Sequence, residues 1–153
     1  MKWNKKTDKA IRLMALLADE NKQLSSMELA TKLNVSQQFI IENATPLGSA
    51  GLLATQTGNG GGYFLCREAS SITMYNVIIA LEDPNIFPIH VSSGEDRLNT
   101  VYGFLQTAAD VYFQHINLQV LCSEDQQQIE KAKKHTLNIL LANLISIGDK
   151  HTD

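Results

Sequence analysis

Residues 51–67 read GLLATQTGNGGGYFLCR: two short apolar runs joined by a tip in which four of five residues are glycine. The runs Leu52-Leu53-Ala54-Thr55-Gln56 and Tyr63-Phe64-Leu65-Cys66 carry aromatic, Thr and large apolar residues suited to a half-buried pleated surface. Between them, Gly58-Asn59-Gly60-Gly61-Gly62 supplies the positive-φ positions of a tight turn. The stretch is predicted to be a β-hairpin wing. Both flanks read as helices, so the predicted fold class is mainly α with one small β-hairpin. A phosphate-cradling loop is excluded, because such a loop opens into a helix and usually carries a lysine, whereas here a strand follows and no lysine is present.

On the upstream side, Ser36 reads as the N-cap of a helix over residues 37–50 with Ile40, Ala44 and Leu47 inward. Pro46 falls inside it, where it deletes one backbone hydrogen bond and is expected to bend the chain. Before it, Ser25-Ser26-Met27-Glu28 has the Ser-x-x-Glu pattern of a capping box and opens a short helix through Leu33, with Leu29, Ala30 and Leu33 inward. Two short helices, a tight turn at Asn34-Val35 and a small residue, Ala30, where they must approach form a helix-turn-helix. Its reading portion is placed at residues 36–43. A further helix over residues 5–21 carries Ile11, Met14, Leu17 and Ala18 at helical spacing, widened by Leu13 and Leu16.

Downstream of the wing, Thr73 caps a helix through Leu81 with Met74, Val77, Ile78 and Leu81 inward. Residues 84–94, rich in turn signals, read as a linker. From residue 95 to about 121, Leu98, Val101, Tyr102, Leu105, Ala108, Ala109, Tyr112 and Ile116 recur at helical spacing, and Phe104, Val111 and Phe113 add a second apolar face. A helix apolar on two sides needs two partners, so a second copy of the chain is expected on one of them. Residues 123–126 open a last helix in which Leu137, Leu140, Leu144 and Ile147 follow the steps of a helix–helix seam.

At 153 residues and 44% hydrophobic content, the chain can bury a core of ordinary size. Its basic start, MKWNKKTDK, leads into no apolar signal run and no stretch reaches the length of a membrane span, so the reading is cytoplasmic with no membrane partner. The net charge of −3 is unevenly distributed: through Ala80 there are eight Lys and Arg against six Asp and Glu, and beyond it five against ten. A mildly basic first half suits a polyanion, and the acidic second half faces elsewhere. Cys66 and Cys122 show no metal-ligand spacing, the four histidines (His90, His115, His135, His151) are scattered, and no nucleophile–base or paired-carboxylate pattern occurs. Neither enzyme activity nor a metal or cofactor is expected.

The succession of helix, Ser-x-x-Glu-Leu-Ala-x-x-Leu-Asn-Val-Ser, Leu-Gly-Ser-Ala-Gly-Leu-Leu, Gly-x-x-Gly-Gly-Tyr-x-Leu and Ile-Thr-x-x-x-Val-Ile-x-Ala-Leu resembles the Rrf-two family of bacterial winged helix-turn-helix transcription regulators. Its members include the iron-sulfur cluster regulator, the nitric-oxide-sensing repressor and a regulator of cysteine metabolism. The resemblance covers roughly residues 8–120 and implies a homodimer on double-stranded DNA. Residues 1–83 would be the DNA-binding domain, 84–94 the linker and 95–153 the helical dimerisation region, pairing through 95–121; the last helix, 124–147, goes beyond the resemblance, and two placements stay open for it, across the dimer or within its own chain. The family's cluster-binding members carry three cysteines in the segment matching residues 85–106, and here that segment, NIFPIHVSSGEDRLNTVYGFLQ, has none. A family-type cluster is therefore not expected. His90 reads as a turn residue, Cys66 as a small buried filler where the family has alanine, and Cys122 as structural, with no neighbouring base to lower its pKa.

The resemblance also implies an arginine just before the first tip glycine, and this chain has Thr57 there. Gln56, Thr57 and Asn59 are left as wing contacts, releasing fewer counterions. In the reading helix Gln37 and Gln38 are the candidates for base contact, since a glutamine amide pairs bidentately with adenine. Ser36 and Thr45 would position phosphates, with Lys32 and the N-terminal lysines adding charge. The expected function is a sequence-specific DNA-binding regulator, in the sense of a repressor, acting on a pseudo-palindromic operator. Two alternatives stay open: a winged-helix protein-interaction module that has lost DNA binding, and a thiol sensor using Cys66 or Cys122. An effector, if any, would act where the linker meets the long helix.

Overall fold

The computed structural model describes residues 5–58, 60–82, 97–122 and 126–148, with the backbone alone for 143–148. The expected linker at 84–94, His90, His151, Asn59, Lys2 and the side chains of Leu144 and Ile147 lie outside the described residues. Helix α1 (Lys5–Glu20) turns Ala10, Ile11, Leu13, Met14 and Leu17 into the core. Helix α2 (Ser26–Leu33) starts at a complete capping box, with the Glu28 amide donating to Ser25 Oγ at 3.2 Å and the Ser25 amide to Glu28 Oε2 at 2.8 Å. It ends at Asn34, which takes the left-handed conformation at φ 51° that Asn tolerates better than most residues.

Helix α3 (Gln37–Ser49) runs through Pro46 and closes one turn later, where the Ala50 amide donates to the Pro46 carbonyl at 3.0 Å. Its buried side is Ile40, Asn43 and Leu47. From its end the chain passes directly into the hairpin β1 (Leu53–Gln56) and β2 (Gly62–Leu65), antiparallel with Leu53 opposite Leu65 and Gln56 opposite Gly62. Leu52, expected within the first strand, is 1% exposed and just outside it, yet its carbonyl accepts from the Cys66 amide at 3.1 Å and so prolongs the ladder.

A bridge to residue 24 helps to fix the hairpin on the domain. Leu24 and Tyr63 exchange both backbone hydrogen bonds, at 3.1 and 2.8 Å, as a one-residue third strand. Gly62 lies so close to this bridge that an added Cβ would fall 2.4 Å from the Leu24 carbonyl oxygen, so glycine is required by contact rather than by its own torsions.

Helix α4 (Met74–Leu81) begins at the Thr73–Asn76 capping box and buries Val77 and Ile78. The single long helix expected from residue 95 to 121 is instead two: α5 (Arg97–His115) and α6 (Leu118–Cys122). The break has a backbone cause. The Ile116 carbonyl accepts from the Met74 amide at 2.7 Å and the Leu118 amide donates to the Ile72 carbonyl at 2.8 Å, which takes 116–118 out of the helical ladder. Asn117 Oδ1 then accepts from the Val120 amide at 3.0 Å, capping α6. Helix α6 seats Leu118 in the core and places Cys122 Sγ 3.1 Å from the Ala15 carbonyl, tying the helical arm, residues 97–148, to α1.

Helix α7 (Gln126–Gly148) packs on α5 of its own chain, with Gln106, Ala132 and Thr136 buried and the His115 and His135 rings edge to face at 4.6 Å. Leu137, the first member of the predicted seam, is 56% exposed, and Leu140 is half-buried. Among the described residues, the other large exposed apolar side chains of the arm are Leu98, Val101, Phe104 and Leu105 on α5 and Leu141 on α7.

Candidate nucleic-acid interface

The outward side of the helix-turn-helix is built by the same periodicity that builds its core. With Ile40, Asn43 and Leu47 turned inward, Gln37, Gln38, Ile41, Glu42 and Thr45 face out, and all five are exposed. Ser36 Oγ accepts from the Phe39 amide at 3.1 Å, and because a hydroxyl keeps its own proton when it accepts, Ser36 can still donate to a phosphate at the helix N-terminus. Gln38 Nε2 donates to Glu42 Oε1 at 3.0 Å. That bond uses one of the two amide protons and sets the plane of the group, leaving Oε1 and the second proton to meet an adenine edge.

The outward stretch of the first two turns is shorter than the 36–43 expected from the sequence. Asn43 is fully buried and its Nδ2 donates to the Phe39 carbonyl at 2.7 Å, so it belongs to the core and the outward stretch over the first two turns ends at Glu42. Thr45 continues the exposed face, its carbonyl accepting from Ser49 Oγ at 3.1 Å.

Lys32 is exposed but held: its ammonium sits 2.6 Å from Glu20 Oε1, and Lys22 lies 3.1 Å from Glu20 Oε2. The hydrogen bonds from Lys32 and then Lys22 pull the Glu20 carboxyl below its usual range, and Glu20 pushes Lys32 up. Arg12 of α1 pairs with Asp8 at 2.9 Å, and three lysines of the same helix lie elsewhere. Lys5, Lys6 and Lys9 line a shallow recess with Phe39 and Glu42, and the Lys9 ammonium stands 5.8 Å from the centre of the Phe39 ring. They form a basic edge beside the start of α3.

In the wing, Gln56 and Thr57 are exposed at the tip end of β1, and Gln23 Nε2 donates to the Gly60 carbonyl at 2.7 Å, binding the tip back to the α1–α2 turn. Cys66 is exposed, against the expectation of a buried filler. Strand alternation gives the reason, since Tyr63 and Leu65 pack against the core and their neighbours Phe64 and Cys66 point out. Burial, and secondarily Asp19, push the Cys122 thiol up, away from the reactive thiolate.

The donor set does not fit an iron–sulfur cluster. Cluster ligation needs several converging thiolates, and the chain's two cysteines stand at the end of β2 and in α6. Among the described residues, no group of three or more His, Cys, Asp or Glu side chains converges.

Within the predicted stretch 36–43, Ile41 and Glu42 were not singled out as site residues. Glu42 was recoverable from its four-residue spacing to Gln38. Ile41, 48% exposed, was recoverable as an apolar residue off the stripe of 40, 44 and 47.

The chain is similar to known proteins. The family model Rrf2, described as an iron-dependent transcriptional regulator, matches residues 3–124. Protein aau3 of Rhizobium meliloti (strain 1021) is 37% identical over 84 residues, 54% of each chain, so the match spans about half the length of that curated relative. The HTH-type transcriptional regulator CymR of Bacillus subtilis (strain 168) is 32% identical over 98 residues, 63% of this chain and 70% of CymR. The solved structure of CymR, the global cysteine regulator of B. subtilis, superposes with a TM-score of 0.73 at 26% identity, covering 82% of this chain and 99% of that one.

Proposed function

Because the chain belongs to the Rrf2 family of transcriptional regulators, we propose that it is a cytoplasmic, sequence-specific DNA-binding repressor that acts as a homodimer on a pseudo-palindromic operator. Helix α3 enters the major groove, the wing touches the neighbouring minor groove, and the two-fold axis runs through the arm. The observation that carries this reading is the outward face of α3. Gln37, a pre-oriented Gln38 and a capping Ser36 project from the first two turns, beside a basic edge of Lys5, Lys6 and Lys9. Gln37 and Gln38 address bases; Ser36, Thr45 and the α1 lysines address phosphates. Gln56, Thr57 and Asn59 serve the wing, and Lys32 contributes only as far as Glu20 releases it.

The exposed apolar side chains of the arm support the dimer. Leu98, Val101 and Leu105 recur at helical spacing on α5, with Leu137 and Leu141 on α7, and a face of that kind is covered in solution by a second copy. The test has two arms. Wild-type protein selects duplexes from a random pool, and enriched sequences form inverted half-sites about one helical turn apart. Val101→Glu with Leu105→Glu halves the mass measured by light scattering and weakens operator binding about a hundredfold, by removing the effective concentration of the second half. A pool with no enriched sequence sinks the regulator reading and favours a protein-interaction module.

A further inference from the structure

Ile41 lies four residues after Gln37, three after Gln38 and four before Thr45, so it occupies the middle of the outward face of α3. It is 48% exposed, while the other large apolar residues of the helix, Phe39, Ile40 and Leu47, are buried or partly buried in the domain core. A single exposed isoleucine elsewhere would need no explanation. Here it stands among side chains whose chemistry is that of reading base edges, in the helix turns that reach deepest into a major groove. The groove offers one apolar group at its floor, the 5-methyl of thymine. We infer that Ile41 is a specificity-determining residue that packs on a thymine 5-methyl group in each half-site, next to the adenine contacted by Gln37 or Gln38.

The inference rests on the proposed DNA-binding role of α3 and adds to it the identity of a base. The neighbours of Ile41 sharpen the geometry. Glu42 holds the Gln38 amide to one side of the face, and Gln37 bounds the other. A guanine or cytosine opposite Ile41 would present polar edges to a branched alkyl group and lose its hydrogen bonds to water without replacement.

The experiment uses the full chain and a duplex selected from the random pool. Each thymine of the selected site is replaced in turn by deoxyuridine, which removes only the methyl group. One symmetry-related position per half-site loses about fourfold in affinity, the worth of one buried methyl. In Ile41→Ala that position no longer distinguishes thymine from deoxyuridine, while other positions keep their wild-type responses. Because Ile41 is exposed in the free protein, the variant keeps its fold, which circular dichroism verifies. A selected site in which no thymine responds to methyl removal, or in which the response persists unchanged in Ile41→Ala, overturns the inference while leaving the regulator reading in place. A pool that yields no selected site overturns both.

Discussion

Substituting Gly62 by alanine tests whether the wing is held as described. The added Cβ would lie 2.4 Å from the Leu24 carbonyl oxygen, 2.6 Å from its carbon and 3.0 Å from the Ser25 nitrogen. All three are backbone atoms, so no side chain can swing aside, and strand β2 must draw away from residues 24 and 25. That separation removes the paired hydrogen bonds between Leu24 and Tyr63, about 1 kcal/mol net each. It also disturbs the Ser25 cap of α2, worth about 1 kcal/mol. The expected loss is about 2–3 kcal/mol, which for a chain of this size lowers Tm by roughly 4–12 °C. Gly58→Ala is the control: its φ of 105° strains any other residue, but no atom lies within 4 Å of the new methyl. Amide exchange separates the two variants. Gly62→Ala deprotects the Leu24 and Tyr63 amides, and Gly58→Ala leaves them protected. If Gly62→Ala keeps both amides protected and melts within about 1 °C of wild type, the bridge is not what anchors the wing.

Three further outcomes follow from the side chains. Asn43 Oδ1 is buried without a partner among the described residues, and the Phe39 carbonyl that accepts from its Nδ2 also lies in the ladder of α3; Asn43→Leu therefore stabilises by about 1 kcal/mol in urea unfolding, and a loss of stability would refute the placement. Cys66 reacts with a thiol reagent in the native protein well before Cys122, whose sulfur is tied to the Ala15 carbonyl and whose thiol is pushed up by burial, and mass mapping of the first modified cysteine checks the order. Glu20 is depressed in the folded chain by Lys32 and Lys22, so its contribution is present above the ordinary carboxylate range and disappears as pH falls through the lowered value; Glu20→Gln should flatten that acid limb of the Tm–pH curve, and an unchanged limb would count against the network.

The helices and the wing were legible because local signals and tertiary packing agree there. Ser25 with Glu28, Ser36, and Thr73 each stand at an observed cap, and the glycine-rich tip gives the hairpin. The break between α5 and α6 was not legible. Its cause is the pairing of residues 116–118 with 72–74, a contact across more than forty positions, while the apolar periodicity runs on through Ile116 without a helix breaker. Cys66 and Asn43 were misplaced for related reasons. The strand's inward parity was set by Tyr63 meeting Leu24, and Asn43 lies on the buried side although its polarity suggests the opposite. In the interface, residue types were readable but their pairings were not. That Lys32 is held by Glu20, twelve positions away, and that the α1 lysines flank Phe39 instead, depends on how α1 crosses the helix-turn-helix.

Those pairings bear on how such a surface would discriminate among DNA sequences. Non-specific affinity is almost wholly phosphate neutralisation, with a salt slope of about 0.9 per phosphate contacted on B-DNA. Here Lys32 is held by Glu20, Glu42 adds a negative charge to the outward face of α3, and Thr57 stands at the wing position where the family resemblance implies arginine. Lys5, Lys6 and Lys9 lie together at one edge of that face. A weak phosphate term lowers affinity for every sequence equally, whereas the contacts proposed for Gln37, Gln38 and Ile41 would act only on the matching one. On the proposed reading, the ratio of specific to non-specific binding would therefore depend on base-edge contacts, and a dimer that doubles them would gain more in selectivity than in total charge.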